Sequence, residues 1–224
     1  MQFAQLPDST TPTDKKETRR VQSVADTFLY YSRAIDPTMI VALNNIVSVQ
    51  AKPTKNTILK YNRLMDYAAT YPNAKLRFFA SDMILHVDSD AAYLVQPGAR
   101  SRIAGYYILS NHPSPAPVIL HRAPNAPILV ECKTLKNVVA STAKAEIDGL
   151  FHNGQMIIHI RRLLKALGHR QPATPLKTDN STSNAFVNKS LRQKKSKSWD
   201  MRYSTTGCAI RNSKNISECF GTED

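Results

Sequence analysis

Four carboxylates of this chain, Asp90, Glu146, Asp179 and Asp200, stand in different local settings: two strand ends, a helix, and a basic loop entering a last element. Asp90 closes the apolar run Met83-Ile84-Leu85-His86-Val87-Asp88-Ser89-Asp90, and Asp179 repeats that arrangement in Thr174-Pro175-Leu176-Lys177-Thr178-Asp179-Asn180. Two such strands can bring their terminal acids to one edge of a sheet. Glu146 falls in a long helical stretch between them, from which it can reach both. Carboxylates gathered in this way repel one another unless cations lie between them, and an all-oxygen donor set suits Mg2+ or Mn2+. A pair of such ions can activate a water and stabilise a leaving oxygen, the chemistry of phosphodiester cleavage. Asp88 competes with Asp90 for the first position, because residues two apart on a strand share a face.

Five runs resemble, in order and spacing, the ribonuclease H domain of copia-type retrotransposon polyproteins: Ser89-Asp90-Ala91-Ala92-Tyr93, Gly105-Tyr106-Tyr107-Ile108-Leu109-Ser110, Ala140-Ser141-Thr142-Ala143-Lys144-Ala145-Glu146-Ile147, Lys177-Thr178-Asp179-Asn180 and Lys197-Ser198-Trp199-Asp200-Met201-Arg202-Tyr203. Upstream, Phe28-Leu29-Tyr30-Tyr31-Ser32-Arg33-Ala34-Ile35-Asp36-Pro37-Thr38-Met39 resembles the helical segment that joins polymerase to ribonuclease H in that family. The likeness covers roughly residues 18 to 203. It implies an α/β fold, a ribonuclease H-like mixed sheet with flanking helices, preceded by a small helical segment. It also implies cleavage of the RNA strand of an RNA/DNA hybrid with two Mg2+ or Mn2+ ions held by Asp90, Glu146, Asp179 and Asp200. The family pattern of a small residue, the acid, Ala, a variable residue and an aromatic selects Asp90 over Asp88. No Tyr-x-Asp-Asp segment occurs, so the polymerase metal site is not in this chain, and the polymerase portion of such a polyprotein is an expected partner. The other reading of the same residues is a nucleic-acid-binding remnant that keeps the fold and no longer cleaves.

Organisation along the chain supports this arrangement. Residues 1–17 read as a disordered polar leader. Residues 18–74 carry apolar residues at helical spacing in three blocks, separated at Asp36-Pro37 and Lys52-Pro53-Thr54. Residues 75–203 switch to short apolar strands, expected at 76–80, 84–90, 105–110 and 127–133, with a proline-rich excursion between the last two. An amphipathic helix follows over 141–167, offering Leu150, Ile157, Ile158, Ile160, Leu163, Leu164 and Leu167 to the sheet, and Gly168 caps it. His152 and His159 share a face of that helix, but zinc needs more convergent ligands than they offer. Lys144 stands where the family usually has an acid; it lies off the helix face that carries Glu146.

The chain has 224 residues, a hydrophobic content of 42% and a net charge of +13, enough apolar residues for one medium core and a balance that favours a polyanionic partner. The expected nucleic-acid contacts are Asn180, Lys189, Arg192, Lys194, Lys195, Lys197 and Trp199, cations for phosphates and a planar ring beside them. No histidine lies between Asp179 and Asp200, unlike the cellular enzymes of this fold. Cys132, Cys208 and Cys219 are odd in number and lack metal-binding spacing, which argues against a disulfide framework. No signal-like or membrane-spanning apolar stretch occurs, so the expectation is an intracellular chain, cytoplasmic or nuclear, that does not contact membrane. After Tyr203 the likeness stops. Residues 204–224 lack the aromatic, apolar helix of the family, and we expect this atypical tail to reflect a shift of reading frame.

Overall fold

The computed structural model describes residues 8–111, 125–187, 210–213 and 216–219. Two compact units meet in sequence between Arg77 and Phe78, three residues beyond the junction expected at 74/75.

In the first unit, helix α1 (Lys15–Ala34), a 3-10 turn (Pro37–Met39), α2 (Ile40–Val47) and α3 (Lys55–Thr70) follow the three apolar blocks. The starts of α1, the 3-10 turn and α3 are built from side-chain oxygens. Asp14 accepts from the Glu17 amide, Asp36 from the Thr38 amide, and Thr54 and Thr57 exchange side-chain and backbone bonds in a capping box. Val21, Ala25, Met39, Leu43, Ile46, Tyr61 and Leu64 form the core between the helices. The described part of the leader ahead of α1, residues 8–14, bonds to the start of α3, where no structure was expected. Thr13 N donates to Pro53 O and Lys55 N to Thr11 O, and Asp8 accepts from the Thr54 hydroxyl at 2.6 Å. These bonds satisfy groups at the start of α3 that would otherwise need water.

The second unit is a mixed α/β structure. Strands β1 (Ile84–Gln96), β2 (Arg100–Ser110), β3 (Pro127–Thr134), β4 (Thr174–Lys177), β5 (Ile210–Ser213) and β6 (Ile216–Cys219) form one sheet in the order β3-β2-β1-β4-β6-β5. All neighbours are antiparallel except β1 and β4, which are joined through the long helix α4 (Thr142–Ala166); a short α5 (Ser181–Val187) follows β4. Leu85, Val87, Tyr107, Leu109 and Leu176 of the sheet pack with Leu150, Ile157 and Leu164 of α4. Ser141 caps the start of α4. At its end Gly168 takes φ 88°, with Gly168 N bonded to Lys165 O and His169 N to Leu164 O, the paired bonds of a left-handed glycine cap.

Several expectations need correction. The strand expected at 76–80 does not form. Phe79 instead pairs its backbone with the Asn125 side-chain amide, donating to Oδ1 at 2.5 Å and accepting from Nδ2 at 3.1 Å, so a side chain takes the place of a neighbouring strand. β1 runs six residues past Asp90, and β2 begins at Arg100, because the two continue as one hairpin whose turn uses Gly98 at φ 72°. Asp90 therefore lies mid-strand. On α4, Leu163 and Leu167 face outward, 60% and 64% exposed; the face that meets the sheet is carried on by Arg161 and Leu164.

Leu85 has no exposed surface, so Leu85→Ala is expected to lower unfolding free energy by about 2–5 kcal/mol, read from the urea midpoint. A loss below about 0.5 kcal/mol, typical of surface sites, would contradict this packing.

Candidate metal centre

Asp90, Glu146 and Asp179 arrive from three elements, and each offers a carboxylate oxygen within 4.8 Å of the others. Alternation along β1 buries Val87, Ser89 and Ala91 and exposes Asp88 and Asp90. Asp179 follows β4 by two residues and is exposed. Glu146, in the second turn of α4, is only 3% exposed. The structure thus brings together three of the four expected acids. Asp200 lies outside the described residues, as do Lys189, Arg192, Lys194, Lys195, Lys197 and Trp199.

Two hydrogen bonds orient Glu146. Its Oε1 accepts from Ala91 N at 3.1 Å and its Oε2 from the Thr178 hydroxyl at 3.4 Å. Parallel pairing of β1 with β4 covers only Val87↔Leu176 and Asp88↔Lys177. Beyond it, the β1 backbone is open to a side chain. Thr178 Oγ1 also accepts from Asn180 N, and Asn180 Oδ1 accepts from Ser183 N at 2.9 Å. Asn180 thus caps α5 through its side-chain oxygen, which also accepts from the Ser183 hydroxyl.

Burial raises the Glu146 carboxyl to about 7, helped by the negative charges of Asp90 and Asp179 and opposed by the bonds from Ala91 and Thr178. Such a trio suits a hard cation. Oxygens each about 2.1–2.4 Å from a shared ion lie no more than about 4.8 Å apart, and positive charge between them would relieve both the burial and the repulsion. Sequence reasoning missed the groups that hold Glu146. Thr178 stands beside its acid in a quoted run, but only the fold shows the contact; the Ala91 amide carries no sequence signal.

Elsewhere, His152 meets Glu131 at 3.2 Å, and Lys133 meets the same carboxylate at 2.7 Å. The hydrogen bond from His152, with Lys133 beside it, holds Glu131 near 2 against the opposing effect of burial. No helix among the described residues is long and apolar enough to cross a membrane. Comparison with protein-family models, curated proteins and solved structures finds no match to this chain.

Because Glu146 holds its proton more tightly folded than unfolded, the cation-free protein binds more protons when native between about pH 4.5 and 7. Its stability is therefore full below that window and falls as pH rises through it, by at most roughly 3 kcal/mol. Glu146→Gln can keep the bond from Ala91 N, with its amide nitrogen turned donor toward Thr178 Oγ1, and should flatten this part of the profile, as should millimolar Mg2+ with the parent protein. Urea midpoints measured from pH 4 to 8 check this. Equal slopes for parent and variant would show that Glu146 ionises freely in the folded state.

Proposed function

We propose that the α/β unit is a ribonuclease H-like domain of the copia-type retrotransposon class, cleaving the RNA strand of RNA/DNA hybrids with two Mg2+ or Mn2+ ions. One observation carries this reading. Asp90, Glu146 and Asp179, far apart in sequence and singled out by the family's own motifs, meet with oxygens within 4.8 Å. The mixed sheet with one parallel pair and a long helix across it is compatible with that fold.

Asp90, Glu146 and Asp179 would hold the ions, joined by Asp200. Bound there, divalent cations supply an activated water and stabilise the leaving oxygen. The chain's own contribution is charge and orientation. The Ala91 amide and the Thr178 hydroxyl fix the Glu146 carboxylate, and the sheet holds Asp90 in a register that leaves its side chain exposed. Asn180, through its amide nitrogen, and the cations Lys189, Arg192, Lys194, Lys195 and Lys197 would hold phosphates, with Trp199 against a sugar or base. Asp88, on the Asp90 face of β1, is not in the cluster.

A labelled RNA/DNA hybrid incubated with the purified chain and Mg2+ or Mn2+ tests the proposal. Asp90→Asn and Asp179→Asn should each reduce cleavage on the order of 1,000-fold or more, a loss of about 4 kcal/mol in transition-state stabilisation. Asp88→Asn should cleave nearly as the parent does. A parent that binds the hybrid without cutting it would mark the chain as a binding remnant, and full activity of Asp90→Asn would show the wrong acid had been chosen.

Affinity for the hybrid gives a separate check on the basic run. Replacing Lys194, Lys195 and Lys197 together by Ala should lower the slope of log affinity against log salt by up to about three ion equivalents, roughly 0.9 per phosphate contact. An unchanged slope would place the hybrid elsewhere on the chain.

A further inference from the structure

Behind the acids lies a buried polar group that no catalytic step uses. Asn153 is 1% exposed, on the face of α4 that carries Glu146 seven residues earlier. Its Nδ2 donates to Ser89 Oγ at 2.8 Å and to Ala104 O at 2.9 Å, and its Oδ1 accepts from the Tyr107 hydroxyl at 2.9 Å. Ser89 and Tyr107 are themselves buried. Both hydrogens of the amide and one lone pair of its oxygen are therefore engaged.

The surrounding residues are shaped to fit this side chain. Gly105 faces it, and a Cβ there would run into Asn153 Oδ1 and come within 2.8 Å of the Tyr107 ring. Between Glu146 and Asn153 on the helix sits Gly149, where an added Cβ would meet Ser89 Oγ at 3.4 Å and Asp90 O at 3.6 Å. Glu146, Gly149 and Asn153 thus form a stripe lying on Ala91, Asp90 and Ser89, running the opposite way. A side chain that fixes Asn153 on Ser89 fixes how far along β1 the helix sits, and hence which strand residue Glu146 reaches.

We propose that Asn153 is a positioning residue: its bond to Ser89 locks α4 on β1 in the register that brings Glu146 to Asp90. This rests on the reading of the three acids as a cation site. The two arms of the amide cluster separate positioning from bulk stability. The Ser89 arm ties α4 to the strand residue beside Asp90, whereas the Tyr107 arm ties it to β2.

Mn2+ binding to the full chain, followed by calorimetry with Asp90→Asn as the control that identifies the site, is the test. Asn153→Ala and Ser89→Ala should weaken Mn2+ binding about 10- to 100-fold, as losses of residues behind metal ligands do. Tyr107→Phe, which also loses a buried hydrogen bond, should stay within about threefold, since it acts on the strand away from the acids. Ser89→Ala removes a single bond and carries the test even if Asn153→Ala fails to fold. Equal affinities for Ser89→Ala and the parent, or equal losses in Ser89→Ala and Tyr107→Phe, would overturn the positioning role while leaving the cation site in place. A parent that binds no Mn2+ at Asp90 would overturn the cation site itself and the positioning role with it.

Discussion

A carboxylate that is 3% exposed and faces two others is the constraint around which the α/β unit is arranged. Glu146 sits on a helix and Asp90 on a strand, so their meeting requires helix and sheet to approach more closely than bulky side chains allow. Gly149 supplies the approach and Asn153 the anchor, while the Ala91 amide and Thr178 hydroxyl supply the partners that the buried carboxylate needs. The apolar side chains Leu150, Ile157 and Leu164 then continue the same face toward the far end of the helix. α4 therefore changes character along its length, polar against β1 near the acids and apolar beyond them. Its modest amphipathicity follows from that double task.

Much of this was legible in the sequence, and what was not has a common cause. The three helical blocks, the breaks at Asp36-Pro37 and Lys52-Pro53, the glycine cap at 168 and the strand cores near 84–90, 105–110 and 127–133 are all set by local chemistry: caps, prolines and the spacing of apolar residues. The acids were visible as residue types in ordered runs. Whatever depended on a partner distant in sequence was not. The segment 76–80 has strand-like residues but finds only the Asn125 side chain to pair with. Leu163 and Leu167 are apolar yet lie outside the face that meets the sheet. Gly105 stands in a run quoted for its family likeness, but its reason is the amide of Asn153, a residue that nothing in its own neighbourhood distinguishes.

The polar anchoring extends to the other end of the helix. Arg161 is buried and donates to Gln171 O at 3.0 Å, to Thr174 Oγ1 at 2.8 Å and to Pro172 O. Gln171 in turn accepts from Leu85 N at 3.1 Å and donates to Met83 O at 2.8 Å. One side-chain amide thus makes the two backbone bonds that a neighbouring strand would have made at the start of β1. Helix, incoming segment and first strand are held as one piece before β4 begins, which fixes where β4 ends.

The shortness of β4 is what this arrangement turns to use. Pro172 and Pro175 each withhold an amide hydrogen from this segment, and the strand spans only Thr174–Lys177. Its parallel pairing with β1 is confined to two residue pairs, and its outer edge is taken by β6 at Thr174↔Cys219, Pro175↔Glu218 and Leu176↔Ser217. A longer β4 would continue along β1 and claim the Ala91 amide for the sheet. Because it stops at Lys177, that amide points into open space and Glu146 accepts from it, while Thr178 and Asp179 turn toward the same spot. Where the ladder stops, a donor and a gap remain, and the gap is where the three carboxylates meet. Lengthening the ladder past Lys177 would take the Ala91 amide from Glu146, so the end of the pairing and the clustered acids meet in one short stretch, Thr174 to Asp179.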